Sequence, residues 1–329
     1  MSHGQRDTLT LLCLMATPAN GPLRRAGPSA KAAAESCDDE EHERREGKRG
    51  RGARLRRSLG DATAAGAPSL REAAAPEMSR APDLSVVIPA YNEAQRLPRT
   101  LERVGAWARA QRETSGLESE ILVVDDGSKD GTAEVVADWA ARLPGLRLVS
   151  NEGNRGKGYS VRHGMLETRG KIALFTDADL SAPIEEAGKL LAALESADVA
   201  IGSRALDRRL IEIHQSGSRE LAGRVFNAFV RLMTGVPFLD TQCGFKAFRM
   251  GRARILFEQQ RIEDFGFDPE LLYLARRHGL KAVEVPVRWA HDPGSKIHMV
   301  RDSLRMFWDL VKVRANSLLG RYPRRPQPR

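Results

Sequence analysis

The sequence predicts an α/β protein built on a mostly parallel, doubly wound sheet, and three observations lead there. From Leu84 onward, short apolar runs alternate with segments of helical periodicity, as in successive βαβ units. The runs are rich in β-branched residues, which favour strands. Each run also ends in polar or glycine-rich residues, and sheets of this kind bind ligands at the carboxyl ends of their strands.

In chain order, "LSVVIPA" is the first strand and "LPRTLERVGAWARAQR" the first helix. "EILVVDD" and "TAEVVADWAARL" repeat the alternation, followed by "LRLVSN" and "GYSVRHGMLETRG". "KIALFTDAD", "PIEEAGKLLAALES" and "DVAIGSR" complete it. The strand ends read "PAYNE", "DDGS", "NEGNRGKG", "DAD" and "GSR". Asp125 and Asp126 alone read equally well as a strand-to-helix turn, because Asp, Gly and Ser suit turns and helix caps. One polar strand end is a turn, but five on one rim form a site.

The rest of the chain sets limits. With 329 residues, 41% of them hydrophobic, it can bury one large core or two modest ones. Residues 1–82 are rich in Ala, Gly, Arg and Glu and poor in large apolar side chains, so an extension without a core is expected, with Met78 an alternative start. The basic patch from Arg44 to Arg57 has no interleaved aromatics and reads as a solvated tail. Cys13, Cys37 and Cys243 form no C-x-x-C pair and the seven histidines no H-E-x-x-H, which points to a reduced compartment and no zinc. Cys243 itself reads as a small buried residue.

The net charge of +9 invites a nucleic-acid partner, but no reading motif accompanies it. Much of the excess lies after Met299, where Leu304, Phe307, Trp308 and Val311 alternate with Arg301, Arg305, Lys312 and Arg314 at helical spacing. Such a basic amphipathic helix, in a segment spanning 299–329, suits an anionic membrane surface; it equally suits a terminal helix packing its stripe on the core. No run approaches the ~20 apolar residues of a spanning helix. The expected location is cytoplasmic, peripheral on the cytoplasmic face of a membrane.

The chemistry is carried by Asp177-Ala178-Asp179 and by "NRGKG". Alternate residues leaving a strand can bring two carboxylates to one point, and hard ions such as Mg²⁺ or Mn²⁺ take oxygen ligands of this kind together with substrate phosphates. Gly153, Gly156 and Gly158 let backbone approach a phosphate, while Arg155 and Lys157 supply charge. The loop is neither a Walker A nor a G-x-G-x-x-G fingerprint, so a nucleotide diphosphate held in another way is expected.

"VVIPAYNE", "VVDDGSKDGT", "NRGKG", "DADLS", "GSRA", "DTQCGFKAF", "FDPELLYLA" and "GSK" occur in the order found in inverting GT-A glycosyltransferases of family 2. From Leu84 to Lys296 the chain resembles the dolichyl-phosphate (polyprenyl-phosphate) sugar transferases. "YNEAQRLP", "GSRAL" and "DTQCGFKAF" are closer to the β-glucosyltransferases than to the mannosyltransferases.

The resemblance implies a Rossmann-like catalytic domain over residues 83–298. It also implies metal-dependent transfer of a hexose, glucose from UDP-glucose, to a polyprenyl phosphate with inversion at C1. Asp126 would accept the uracil N3–H, with Pro89, Tyr91 and Glu93 completing the base and ribose pocket and Asp125 orienting the loop. Guanine N1–H would satisfy Asp126 too, which leaves a GDP-mannose donor as an alternative. Asp177, Ala178 and Asp179 would line the donor, with Asp177 and Asp179 on the metal. Ser181 stands where some relatives carry a Gln ligand. Lys157 would neutralise charge on the departing UDP, and Arg204, Arg219 and Lys296 would bind phosphate. Asp268, followed by Pro269 and Glu270, reads as a helix cap, and neither it nor Asp264 is named as a base. A non-catalytic nucleotide-sugar-binding protein of the same fold is the other reading.

Overall fold

The computed structural model describes residues 81–213, 217–290 and 299–323. The expected N-terminal extension and Lys296 lie outside them, as does the side chain of Arg219.

The elements run β1 (Leu84–Ala90), α1 (Leu97–Ser115), β2 (Ser119–Asp125), α2 (Thr132–Ala140), β3 (Leu146–Ser150), α3 (Lys157–Glu167), β4 (Ile172–Thr176), α4 (Ala187–Ala193) and β5 (Val199–Ser203). They continue as β6 (Ile211–Ile213), α5 (Gly217–Thr234), β7 (Phe245–Arg249), α6 (Met250–Gln259), α7 (Phe267–Arg277), β8 (Ala282–Pro286), β9 (Trp289–Ala290) and α8 (Met299–Leu318). The main sheet has the order β3-β2-β1-β4-β7-β5-β8, and β6 pairs with β9 in a second, small sheet.

The near-continuous apolar strands follow from burial on both faces. Val87, Leu122 and Val124 pack on one face with residues of α3, α6, α7 and α8. Leu84, Val86, Ile88, Ile121 and Val123 pack on the other with residues of α1, α2 and α4. Ala90 pairs with Asp125, and Asp125 with Ser150, so the first three strands end level and their loops share one edge. β7 departs from the parallel pattern: it runs antiparallel to β4 and β5 and places Lys246 beside both Phe175 and Ile201.

α8 has two apolar sides. Leu310 and Val313 are fully buried in the same core as Phe267 and Tyr322. Burial of that kind stabilises by roughly 1.5–3 kcal/mol per side chain. Leu304, Phe307 and Trp308 are exposed, and the Phe307 ring stacks on Phe229 of α5 at 4.6 Å. The helix therefore packs on the core through Leu310 and Val313, while Leu304, Phe307 and Trp308 of the expected stripe stay on the surface. Beyond it, buried Tyr322 donates its O–H to Glu270 at 2.6 Å, which fastens the chain to α7.

Candidate active site

Five strand ends meet on one rim, tied together through their loops. After β1, Asn92 N–H donates to Ser128 Oγ, Glu93 N–H to Thr132 Oγ1 and Ala94 N–H to Asp130 Oδ2. The "PAYNE" and "DDGSKDGT" loops are thereby joined. Pro89 and Glu93 are half-buried there and Tyr91 is exposed, with Glu93 bridged to Arg96 at 3.0 Å. Asp125 Oδ1 accepts from Ser128 N–H at 3.1 Å, which shapes the turn after β2.

Asp126 organises the next loop. Its Oδ1 accepts from Asn151 Nδ2 at 2.7 Å and from Arg155 N–H at 3.0 Å, and its Oδ2 from Gly156 N–H at 2.9 Å. A carboxylate offers about four acceptor positions, so one further donor can still be accommodated. Gly156 has φ 101° and a Cβ there would come within 2.6 Å of Glu263 O, which explains the residue. Tyr159 N–H donates to the same Glu263 carbonyl at 3.0 Å. The "NRGKG" loop is thus held between Asp126 and the segment before α7.

After β4, Asp177 and Asp179 stand on either side of buried Ala178, whose carbonyl accepts from Thr100 Oγ1. Lys157, the first residue of α3, reaches Asp177 Oδ1 at 2.6 Å. Burial works to lower the Lys157 pKa, but Asp177 and Asp268 outweigh it and hold it above the usual value. The Asp179 carboxyl is pushed upward, first by burial and then by the charge of Asp177. Ser181 N–H donates to Asp179 Oδ1 at 2.9 Å, so the residue at the third motif position steers the second carboxylate. Gly244 leaves the space Asp177 occupies: a Cβ there would collide with the carboxylate.

Two carboxylates close enough for the charge of one to act on the other fit a divalent metal. Among the described residues no cluster of three or more His, Cys, Asp or Glu side chains could hold one alone, and Mg²⁺-type ions are commonly held by one or two carboxylates plus substrate phosphates and water.

Arg204 follows β5 and forms a bidentate pair with Asp240, Nε to Oδ2 at 2.6 Å and Nη2 to Oδ1 at 2.8 Å. Burial raises the Asp240 pKa, but the guanidinium prevails and holds it at about 2. A guanidinium has five N–H donors, so Arg204 keeps others for a ligand while Asp240 fixes its plane. It lines a cavity of about 550 Å³ with Arg208, Arg224, Arg231, Asn227, Gln242 and Trp289. Arg204 also lies over the Trp289 ring at 5.4 Å. β9 then ties this cavity to the acidic motif, because Ala290 N–H donates to Ser181 O at 2.9 Å.

Asp268 corrects the expected helix cap. The cap position of α7 is Gly266, and Asp268 lies inside the first turn, where its Oδ1 accepts from Lys246 Nζ at 2.6 Å. A buried ammonium demands a counter-charge more strongly than a helix end demands a cap. Cys243 is buried, and burial pushes its thiol up to about 12, so it stays protonated. Asp240, Trp289 and Gly244 carry roles that no pattern at the strand ends indicates. "DTQCGFKAF" was the available signal for Asp240, Gly244 and Lys246.

The fold and rim define a glycosyltransferase. Residues 85–256 match Glycosyl transferase family 2, and the chain belongs to that family. It is 36% identical over 247 residues to a dolichyl-phosphate beta-glucosyltransferase of Dictyostelium discoideum, covering 72% of this chain and 75% of that one. The Homo sapiens protein of the same name is 33% identical over 247 residues, covering 72% and 76%. Among solved structures, glucosyl-3-phosphoglycerate synthase from Mycobacterium tuberculosis in complex with phosphoglyceric acid aligns with a TM-score of 0.51 at 21% identity, over 71% of this chain and 80% of that one. That likeness speaks to the GT-A fold alone.

Proposed function

We propose that this chain transfers glucose from UDP-glucose to dolichyl phosphate with inversion at C1. The observation that carries the reading is the adjacency of two charged sites on one rim. Asp177, Asp179 and Lys157 lie at one, and the arginine-lined cavity lies at the other, joined to it through Ser181 and Ala290. The first suits a donor diphosphate and the second an acceptor phosphate. The relatives' names supply the sugar and the lipid.

A lipid monophosphate is already an anionic nucleophile, so the protein has to place it rather than deprotonate it. Arg204, its plane set by Asp240, holds the phosphate for attack on C1; Arg219 and Lys296 are assigned to phosphate on the resemblance. As the new C1–O bond forms, the bond to UDP breaks and the electron pair leaves on the diphosphate. Lys157 stabilises that charge. A divalent ion held by Asp177 and Asp179 would supply further charge neutralisation at the leaving group. Asp126, with Pro89, Tyr91 and Glu93 beside it, receives the base and ribose.

A polyprenyl chain stays in the bilayer, so only its phosphate reaches the rim. Among the described residues no helix is long and apolar enough to cross a membrane. The open face of α8 meets the need: Trp308 is 61% exposed, and Leu232 of α5, the helix whose Phe229 stacks on Phe307, is 80% exposed. Arg305 and Arg314 flank them as exposed cations. On this reading the chain works peripherally, at the cytoplasmic face of a membrane.

The test is incubation with radiolabelled UDP-glucose, dolichyl phosphate and Mg²⁺ or Mn²⁺, with GDP-mannose and other sugar nucleotides as competitors. The expected product is a lipid-extractable, mild-acid-labile glucosyl phosphate. Label transfer from GDP-mannose instead would replace the donor, and no transfer from any donor would favour a non-catalytic role.

A further inference from the structure

Lys157 touches the acidic motif in a way that sequence alone does not suggest. Its ammonium lies 2.6 Å from Asp177 Oδ1, and the two side chains retain 23% and 31% of their exposure. The pair is therefore partly covered but still reached by solvent, unlike a sealed one. Around it, other groups are committed. Asp179 is steered by Ser181 N–H, Asp177 backs onto Gly244, and Lys246 is sealed against Asp268. Lys157 stands at the first position of α3, an eleven-residue helix, on a flexible four-carbon stem.

An ammonium and a divalent cation cannot share one carboxylate oxygen without strong repulsion, since like charges a few ångströms apart oppose each other even in a well-screened setting. A lysine at the end of a mobile stem can instead move to an arriving diphosphate. We propose that Lys157 is a built-in occupant of the metal position. It holds Asp177 while the site is empty of donor and moves to the diphosphate when a metal–nucleotide complex arrives. This rests on the reading of Asp177 and Asp179 as metal ligands. The consequence is an order of binding: the chain takes free metal poorly, and the metal enters together with the nucleotide.

The experiment titrates the full chain with Mn²⁺, following free Mn²⁺ by electron paramagnetic resonance, without nucleotide and with saturating UDP. Wild type is compared with Lys157→Met, Lys157→Arg and Asp179→Ala. Without nucleotide, Lys157→Met should bind Mn²⁺ about tenfold or more tightly than wild type, while Lys157→Arg, which keeps the charge, should resemble wild type. With UDP the order should reverse, because the lysine has become an attractive partner of the diphosphate. Lys157→Gln provides the same comparison should methionine cost the fold. Equal free-Mn²⁺ binding by wild type and Lys157→Met, with Mn²⁺–UDP binding still dependent on Asp179, would overturn the occupant role alone. Mn²⁺ binding insensitive to Asp179→Ala in both conditions would overturn the metal reading and this inference with it.

Discussion

Two lysine–aspartate pairs in this molecule have the same length and opposite surroundings. Lys246 and Asp268 meet at 2.6 Å with side chains 0% and 5% exposed. Lys157 and Asp177 also meet at 2.6 Å, but at 23% and 31% exposure. The first pair is closed in by its neighbours. Lys246 Nζ also donates to Cys243 O at 2.7 Å and lies over the Phe175 ring at 5.5 Å. Neither partner can exchange without leaving a buried charge alone. The second pair can exchange its cation for another at modest cost. Distance alone does not separate a structural ion pair from a functional one; access to a replacement partner does.

The largest expected effect is on the open side. Asp179→Ala removes one of the two carboxylates that would hold the metal at the leaving group. That stabilisation amounts to several kcal/mol, so turnover should fall at least about a hundredfold with the fold intact. Initial rates with UDP-glucose and dolichyl phosphate, beside a thermal melt, measure both. Retained metal-dependent turnover would place the metal elsewhere and remove the functional half of the comparison.

Next comes the sealed side, where the effect should appear as stability. Lys246→Met leaves Asp268 buried without its cation and should cost about 3–5 kcal/mol in urea unfolding. Lys246→Met/Asp268→Leu, which removes both charges, should recover most of that. The pH dependence has a definite sign. The Asp268 carboxyl already lies above its ordinary 3.8 through burial, with Lys246 opposing that rise, and loss of Lys246 raises it further. A raised native carboxyl favours the folded state at low pH and loses that contribution as pH climbs from the unfolded value through the native one. The deficit of Lys246→Met should therefore be greatest near neutrality and narrow on acidification. A deficit independent of pH would mean that packing, not charge, is lost.

The same contrast explains what could be read from the chain. The rim was legible because Asp126 and Asp177 each follow an apolar run and break its pattern, while Lys157 sits in the glycine-rich loop after the third run. Alternation was enough to place β1 to β5 but did not reach β8, which pairs parallel to β5. It was not enough for β7, which inserts between β4 and β5 and runs antiparallel to both, since strand order is set by packing between distant segments. Lys246 in "FKAFR" carries no local sign of its partner, and only the fold brings it to Asp268. Arg204 was visible, but its partner Asp240 lies 36 positions away and Trp289 further still. Pairings across such separations leave no local signal.

α8 repeats the sealed and open division within one helix, and its predicted effect is smaller. Lys312 is bridged to buried Asp309 at 2.9 Å, so reversing it would disturb the core side. Arg305→Glu/Arg314→Glu changes exposed cations instead. Each basic charge contributes about 1 kcal/mol near an anionic leaflet, and screening weakens it. Flotation with liposomes of graded anionic-lipid content should show wild-type binding that rises with lipid charge, falls with salt and is largely lost in the double variant. Equal flotation of both proteins at every composition would remove the charged face from membrane docking.

The smallest expected effect is the one that completes the comparison. Lys157→Met breaks an ion pair as short as the sealed one, and a count of bonds would predict an equal loss of stability. Solvent access predicts otherwise. Water and salt replace much of what the ammonium supplies, and ordering a long side chain costs entropy, so such pairs contribute about 0–1 kcal/mol. Urea unfolding of Lys157→Met should therefore shift its midpoint by no more than that, with an unchanged slope, because the surface exposed on unfolding is the same. Raising the ionic strength should shrink the difference further. A loss matching that of Lys246→Met would show that Lys157 is fastened as firmly as Lys246. An ammonium held that tightly could not leave Asp177 for an incoming diphosphate.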